Sequence, residues 1–115
     1  MLLGIKRIYE KASITDGKRI FVDRLWPRGV KKSTANIDMW LKDVAPSNEL
    51  RKWFAHDPNK WVEFESRYTK ELERNPAVQQ LIDMVKSSDI TLLYSTEDKE
   101  HNNAVVLADF IKKSI

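Results

Sequence analysis

The chain of 115 residues has no cysteine, three glycines and two histidines, and each shortage excludes a class of protein. Without cysteine there is no disulfide, thiolate zinc site, iron–sulfur cluster or cysteine nucleophile. Three isolated glycines exclude both the GxGxxG dinucleotide loop and the P-loop, and the two histidines do not form an HExxH motif. We therefore expect no bound cofactor.

Long apolar runs are also missing. No stretch approaches the roughly 18 residues that a transmembrane helix needs. The basic residues of the first eleven positions follow the apolar ones, whereas in a signal peptide they precede them. With 42% hydrophobic and 32% charged residues, the composition is that of a folded domain. We expect one domain over residues 1–115, soluble and cytoplasmic with no membrane partner; the absence of long heptad runs leaves the oligomeric state open.

Positive charge is concentrated at the start of the chain. Residues 1–33 hold nine Lys or Arg and three Asp or Glu, a net charge of +6, whereas the whole chain carries +3. The rest of the chain is therefore net negative. A local excess of this size favours an anionic partner near the first third, and a solvated surface is the alternative explanation.

Apolar runs predict strands over residues 2–8, 19–23 and 90–95, the last of them buried, central and parallel. Helical spacing predicts that the middle of the chain is helical, beginning with a helix through Ile37, Trp40, Leu41 and Val44. Capping residues predict further helices after Ser47, Asp57-Pro58, Asn75-Pro76, and Asn102 or Asn103. The same spacing predicts core positions at Trp40, Trp53, Phe54, Trp61, Phe64 and Tyr68, and, in the last helix, at Ala104, Leu107, Ala108, Ile111 and Ile115.

These elements predict an α/β domain with a short, mainly parallel sheet flanked by helices. Ligands of such folds bind at the carboxyl ends of the strands. Residues 23–29, Asp-Arg-Leu-Trp-Pro-Arg-Gly, follow the second strand. Arg24 and Arg28 flank a turn and suit capture of a phosphate or carboxylate. Asp23 is a candidate base, and Trp26 is free to stack on a ring. The structural alternative is that Asp23 pairs with an arginine and Trp26 fills the core.

The loop after the third strand, residues 94–103, is equally polar. Asp98 and His101 are candidate acid–base residues, and Ser95 and Asn103 are candidate ligand-binding residues beside a helix N-terminus. Alternatively, the asparagines only cap the helix and His101 is solvated.

Three more residues are weaker candidates. His56 precedes the capping Asp57, and its alternative is only to form a hydrogen bond with a backbone group. Lys42 and Arg51 are the other two, and their alternative is to lie on a helix surface. His56, Asp57, Asp98 and His101 are the residues that could converge on a metal. A zinc site needs three or four ligands and the chain has only two histidines, so we expect no metal site.

Four blocks of sequence resemble domain-of-unknown-function family 488, the YeaO-like proteins: residues 23–29, Trp40 with Lys42-Asp43, residues 45–58 and residues 92–107. The resemblance covers essentially the whole chain and implies a small cytoplasmic α/β domain. It also implies that twelve residues are family signature positions, without assigning them roles: Asp23, Arg24, Pro27, Arg28, Lys42, Ser47, Arg51, His56, Asp57, Asp98, His101 and Asn103.

Three interpretations follow. The first is an enzyme or ligand-binding domain with an arginine-lined site for a phosphorylated small molecule at the carboxyl ends of the strands. The second is a nucleic-acid-binding module that uses the basic first third and Trp26. In the third, the polar signature residues form a buried ion-pair network that only holds the loops together.

Overall fold

A computed structural model describes residues 2–115. Four parallel strands form one sheet in the order β1–β4–β2–β3, and four α-helices flank it, so the predicted α/β class is confirmed. The strands are β1 (Leu3–Arg7), β2 (Lys18–Phe21), β3 (Met39–Trp40) and β4 (Ile90–Tyr94). The helices are α1 (Asn48–Phe54), α2 (Trp61–Glu73), α3 (Ala77–Ser87) and α4 (Asn103–Lys113).

The strand β4 occupies an inner position between β1 and β2, as its apolar sequence predicts. All five of its residues are buried. Leu92 pairs with Ile5 of β1 on one side and with Ile20 of β2 on the other. Because all the strands are parallel, their carboxyl ends lie along one edge of the sheet.

Each face of the sheet carries an apolar cluster, since successive residues of a strand point to opposite faces. The larger cluster contains Ile20, Val22 and Leu92 together with the buried faces of the four helices. The smaller one contains Phe21, Leu93 and Ile8, with Trp26 and Trp40 packed against it.

Local capping explains where the helices begin. The side-chain oxygen of Ser47 accepts a hydrogen bond from the amide of Leu50, and that of Asn102 accepts one from the amide of Val105. Asp57 caps a short 3-10 turn, Pro58–Lys60, which leads into α2. These helix starts agree with the sequence prediction. Of the two asparagines predicted as alternatives, Asn102 is the one that caps α4.

The predicted helix through residues 37–44 is wrong. The segment forms β3 and a 3-10 turn, Lys42–Val44, because its backbone bonds to β2: the amide of Leu41 donates to the carbonyl of Phe21 at 2.9 Å. Met39 and Leu41 face the larger cluster and Trp40 faces the smaller one, the alternation of a strand. Trp40 is therefore half-buried on a strand, not on a helix.

A second correction concerns the end of α4. The positions predicted for its core face are buried up to Ile111, but Ile115 lies beyond the helix and is 62% exposed.

Candidate functional site

A cleft of about 360 Å³ lies at the carboxyl ends of β2 and β4. The loop after β2, the loop after β4 and the end of α1 enclose it. It is lined by Tyr9, Asp23, Arg24, Leu25, Trp26, Pro27, Arg28, Pro46, Arg51, Phe54, His56, Phe64, Ser95, Thr96, His101, Asn102 and Asn103. Nine of the eleven residues singled out from the sequence are in this set; Lys42 and Asp98 are not.

Asp23 follows β2 and is tied to the loop after β4. Its Oδ2 accepts hydrogen bonds from the backbone amide of Ser95 at 3.0 Å and from the Ser95 hydroxyl at 2.7 Å. Its Oδ1 is buried and has no hydrogen-bond partner within residues 2–115. Burial raises the pKa of Asp23, and the two bonds from Ser95, the side-chain amide of Asn103 and the nearby His56 oppose that rise. No salt bridge of the described residues includes Asp23, so it does not pair with an arginine.

Three arginines line the cleft, and they differ in how far their side chains are already hydrogen-bonded within the protein. The guanidinium of Arg24 donates from Nε to the carbonyl of Pro46 at 3.0 Å and from Nη2 to that of Ala45 at 3.3 Å. Arg24 thereby holds the loop before α1 in place. Three of its five N–H groups, two on Nη1 and one on Nη2, remain unbonded within residues 2–115. Arg28 is exposed, and its backbone carbonyl accepts the hydroxyl of Tyr9 at 2.8 Å.

Arg51 lies on α1. One of its terminal nitrogens, Nη2, donates to Asn48 Oδ1 at 3.4 Å, a long contact. Its Nε is buried and, within residues 2–115, has no partner. Together with Asp23 Oδ1, it is one of the two buried side-chain polar atoms left unbonded in the part of the chain described, and both belong to residues that line the cleft.

His101 lines the cleft, and its imidazole is held by Asp98, which does not line the cleft itself. The Nδ1 atom of His101 lies 2.9 Å from Asp98 Oδ2, and Asp98 Oδ1 accepts the backbone amides of Glu100 and His101. These hydrogen bonds, led by the one from the Glu100 amide, lower the pKa of Asp98. The imidazole edge packs on Trp61 at a centroid distance of 5.2 Å. Because Asp98 occupies Nδ1, Nε2 is the ring nitrogen left for a ligand.

His56 follows the end of α1 in a strained conformation. Ala55 and His56 have φ angles of 47° and 58°, in the left-handed region that non-glycine residues rarely adopt. Such strain tends to occur at functional sites. The turn directs the exposed His56 to the rim of the cleft, with its ring 6.4 Å from that of Phe54.

Of the remaining candidate residues, Trp26 and Asn103 line the cleft and Lys42 does not. Trp26 lines the cleft, but its ring packs edge-on against Trp40 and its Nε1 donates to the carbonyl of Val30 at 2.7 Å. Asn103 donates from Nδ2 to the carbonyl of Val22 at 3.0 Å, which ties α4 to β2. Lys42 is exposed, with its ammonium 5.4 Å from the Trp40 ring centroid.

Sequence reasoning missed several residues of the cleft. Tyr9 and Thr96 come just after β1 and β4, so the rule that points to strand ends could have found them. Phe54 and Phe64 were assigned to the core. They are buried and stacked at 4.3 Å, yet they also form part of the cleft wall. No sequence signal separates an apolar wall from an apolar core.

Four of the nine basic residues of the first third bond within the protein, and the other five, Lys11, Lys18, Arg28, Lys31 and Lys32, are exposed. Lys6 and Arg19 both pair with the buried Asp16, at 3.0 and 2.6 Å. Arg7 donates to the carbonyls of Ser95 and Thr96, and Arg24 to two others. Some of the basic side chains of the first third therefore stabilise loops, and the others are exposed to solvent.

Within residues 2–115, no three His, Asp or Glu side chains are grouped so as to hold a metal ion. None of the helices in that range is long and apolar enough to cross a membrane.

Comparison with known proteins identifies relatives along the full length of the chain. The family described as "Inactive DUF488-N3 subclade" matches residues 2–115. The uncharacterized protein YeaO of Escherichia coli K12 is 42% identical over 113 residues, 97% of this chain and 98% of YeaO. The uncharacterized protein Rv3073c of Mycobacterium tuberculosis H37Rv is 39% identical over 107 residues, 93% of this chain and 91% of that protein. No solved structure matches significantly. The chain thus belongs to the YeaO-like proteins of the DUF488 family.

Proposed function

We propose that this protein is a ligand-binding domain whose cleft holds a phosphate-bearing small molecule. The observation that carries the proposal is the buried Nε of Arg51, which lacks an acceptor within residues 2–115. A buried N–H group without an acceptor costs free energy, and an anionic oxygen would satisfy it with a charge-assisted hydrogen bond. Arg28 and the guanidinium of Arg24 add positive charge to the same cleft, against the one carboxylate of Asp23.

The description of the matching subclade as inactive favours binding over catalysis. The paired Asp98 and His101 are compatible with either role. In a binding site, the bond between them fixes the imidazole so that Nε2 meets the ligand in one orientation. A small molecule is favoured over a nucleic acid because Lys6, Arg7, Arg19 and Arg24 bond within the protein, and because Trp26 packs against Trp40.

Isothermal titration of the wild type, Arg51→Ala and Arg74→Ala tests the proposal. The probes are inorganic phosphate, ribose 5-phosphate, nucleoside monophosphates and a short RNA. Arg74 is exposed and does not line the cleft, which makes Arg74→Ala the matched control. We expect one class of phosphorylated small molecule to bind, and Arg51→Ala to weaken it by about ten- to a hundredfold, the worth of a charged hydrogen bond.

Three results would overturn the proposal. The first is the absence of binding by every phosphorylated small molecule. The second is equal affinity of the wild type and Arg51→Ala. The third is tight binding of RNA alone, weakening steeply with salt, which would favour a nucleic-acid interface. The melting temperature of each variant shows whether it is folded. Turnover of a bound phosphate ester by the wild type would contradict the non-catalytic assignment.

A further inference from the structure

One group in the cleft is not explained by an anionic ligand. The carboxylate of Asp23 repels a phosphate, yet its Oδ1 is buried and unbonded within residues 2–115. Its Oδ2 already accepts two bonds from Ser95. Buried carboxylate oxygens normally have hydrogen-bond partners, and a donor on a bound ligand would supply the one that Oδ1 lacks. That donor has to belong to a part of the ligand away from the phosphate.

The surroundings of Asp23 indicate what this second part of the ligand is. Leu25, Phe54, Phe64 and two prolines line the same cleft. Apolar and aromatic walls with one directed polar group are typical of sites that hold a flat ring and fix its orientation. A cleft of about 360 Å³ is near the small end of ligand pockets, so it suits a single base on a sugar phosphate.

We infer that the ligand is a nucleoside monophosphate and that Asp23 reads its base by accepting a hydrogen bond at Oδ1 from an exocyclic amino group. This inference rests on the proposed function, because it assumes that the arginines hold the phosphate. It adds that the site selects among phosphates by the base. A base with a carbonyl oxygen in place of the amino group would set two acceptors against each other and leave Asp23 unpaired.

The substitution Asp23→Asn reverses the hydrogen-bonding character of this position. The amide and hydroxyl of Ser95 are both able to donate, so the new side chain keeps them by turning its carbonyl oxygen toward Ser95. Its NH2 group then takes the place of Oδ1. A donor replaces an acceptor at the same place, and the preference passes from bases with an amino group to bases with a carbonyl.

The experiment compares affinities within pairs of nucleotides that share ribose and phosphate. GMP and IMP differ by one amino group, as do AMP and purine riboside 5′-monophosphate, whereas CMP and UMP exchange an amino group for a carbonyl. Ribose 5-phosphate lacks a base. Each is titrated into the wild type, Asp23→Asn and Asp109→Asn. Asp109 is an exposed residue of α4 outside the cleft, so this variant controls for the loss of one carboxylate.

In the wild type we expect the amino member of at least one pair to bind about ten- to a hundredfold more tightly than its partner. In Asp23→Asn that preference disappears, and for CMP and UMP it turns toward UMP. Asp109→Asn behaves as the wild type. The wild-type preference is measured without any variant, so the inference is tested even if Asp23→Asn does not fold.

The failure of this inference differs from the failure of the proposed function. Two results overturn the recognition of the base by Asp23 but do not affect the proposed phosphate site. One is equal affinity within every pair, and the other is binding of ribose 5-phosphate as tightly as any nucleotide. A wild-type preference that survives unchanged in folded Asp23→Asn also overturns that recognition. The absence of binding by every phosphate probe overturns both.

Discussion

The carboxylate of Asp23 and the hydroxyl of Ser95 join the loops after β2 and β4 with a hydrogen bond of 2.7 Å between residues 72 positions apart. Only Oδ2 of the carboxylate takes part, and Oδ1 remains buried without a partner within residues 2–115. The bond therefore holds the two loops of the cleft together while it leaves a costly, unsatisfied oxygen between them.

The first prediction is that Asp23→Asn stabilises the free protein at neutral pH. A neutral amide costs less to bury than an ionised carboxylate. We expect the free energy of unfolding to rise by about 1 kcal/mol, the lower end of the cost of an unsatisfied buried group, and the melting temperature by about 4 °C. Urea unfolding at pH 7 measures the change, and Asp109→Asn is the surface control.

The pH dependence of this gain follows from the raised pKa of Asp23. Below the ordinary value of 3.8 both folded and unfolded chains are protonated, so the wild type carries no penalty. As the pH rises above 3.8, the unfolded chain loses its proton first, and the penalty grows until the folded pKa is passed. The advantage of Asp23→Asn should therefore shrink in acid. An Asp23→Asn protein less stable than the wild type at pH 7 would instead support a structural role for the carboxylate.

The second prediction concerns Asp16, which behaves in the opposite way. A hydrogen bond from the Ser13 amide, followed by bonds from Lys6 and Arg19, lowers the pKa of Asp16 to about 2 from 3.8, against the effect of burial. Its stabilisation is complete above 3.8 and is lost as the pH falls toward 2. Asp16→Asn leaves the buried Arg19 unpaired, so we expect a loss of about 3 kcal/mol at pH 7 in urea unfolding.

The control for this urea-unfolding experiment is Asp109→Asn. Asp109 pairs with Lys113 on the exposed face of α4, and Asp109→Asn should cost less than about 0.5 kcal/mol. The stability of Asp16→Asn should also fall less steeply than that of the wild type between pH 4 and pH 2, because one of the groups that link stability to pH is gone. Parallel curves for the two proteins would contradict the assignment of the ion pairs to Asp16.

Local signals explain which parts of the fold could be predicted. Ser47, Asp57 and Asn102 cap helices through bonds to amides two or three residues away, so the pattern is contained in a few neighbouring positions. Residues 37–44 show the opposite case. Their apolar spacing is that of a helix, but they bond to β2 nearly twenty residues earlier and are covered on both faces. Tertiary pairing overrides a local pattern here, and the sequence gives no sign of the partner.

The candidate site was partly predictable for a topological reason. Loops that follow parallel strands meet at one edge, so Asp23 and Ser95 could be expected near each other. The roles of the arginines could not be predicted. Arg24 bonds to the carbonyls of Ala45 and Pro46, which only the folded chain brings within reach. Arg51 is a weaker candidate in the sequence, with a helix surface as the alternative, and its Nε is buried.

The third prediction separates two glycines that share a positive φ angle. Gly17 and Gly29 have φ angles of 65° and 74°. A Cβ atom on Gly17 would lie 2.3 Å from the carbonyl oxygen of Asp89, whereas one on Gly29 would meet nothing within 4 Å. The Asp89 oxygen also accepts the amide of Lys18 at 2.9 Å, which sets the register of β2 against β4.

Gly29→Ala should therefore cost about 1 kcal/mol, the price of the left-handed backbone alone. Gly17 has a ψ angle of −139°, a combination with positive φ that non-glycine residues rarely adopt. Gly17→Ala also adds a clash with backbone that cannot move without disturbing the pairing of β2 with β4, so its loss should exceed about 2 kcal/mol. Urea unfolding of the two variants measures the difference directly. Because both carry the same exchange at the same kind of φ, equal losses would mean that the turn at Gly17 relaxes away from Asp89 without disturbing the sheet.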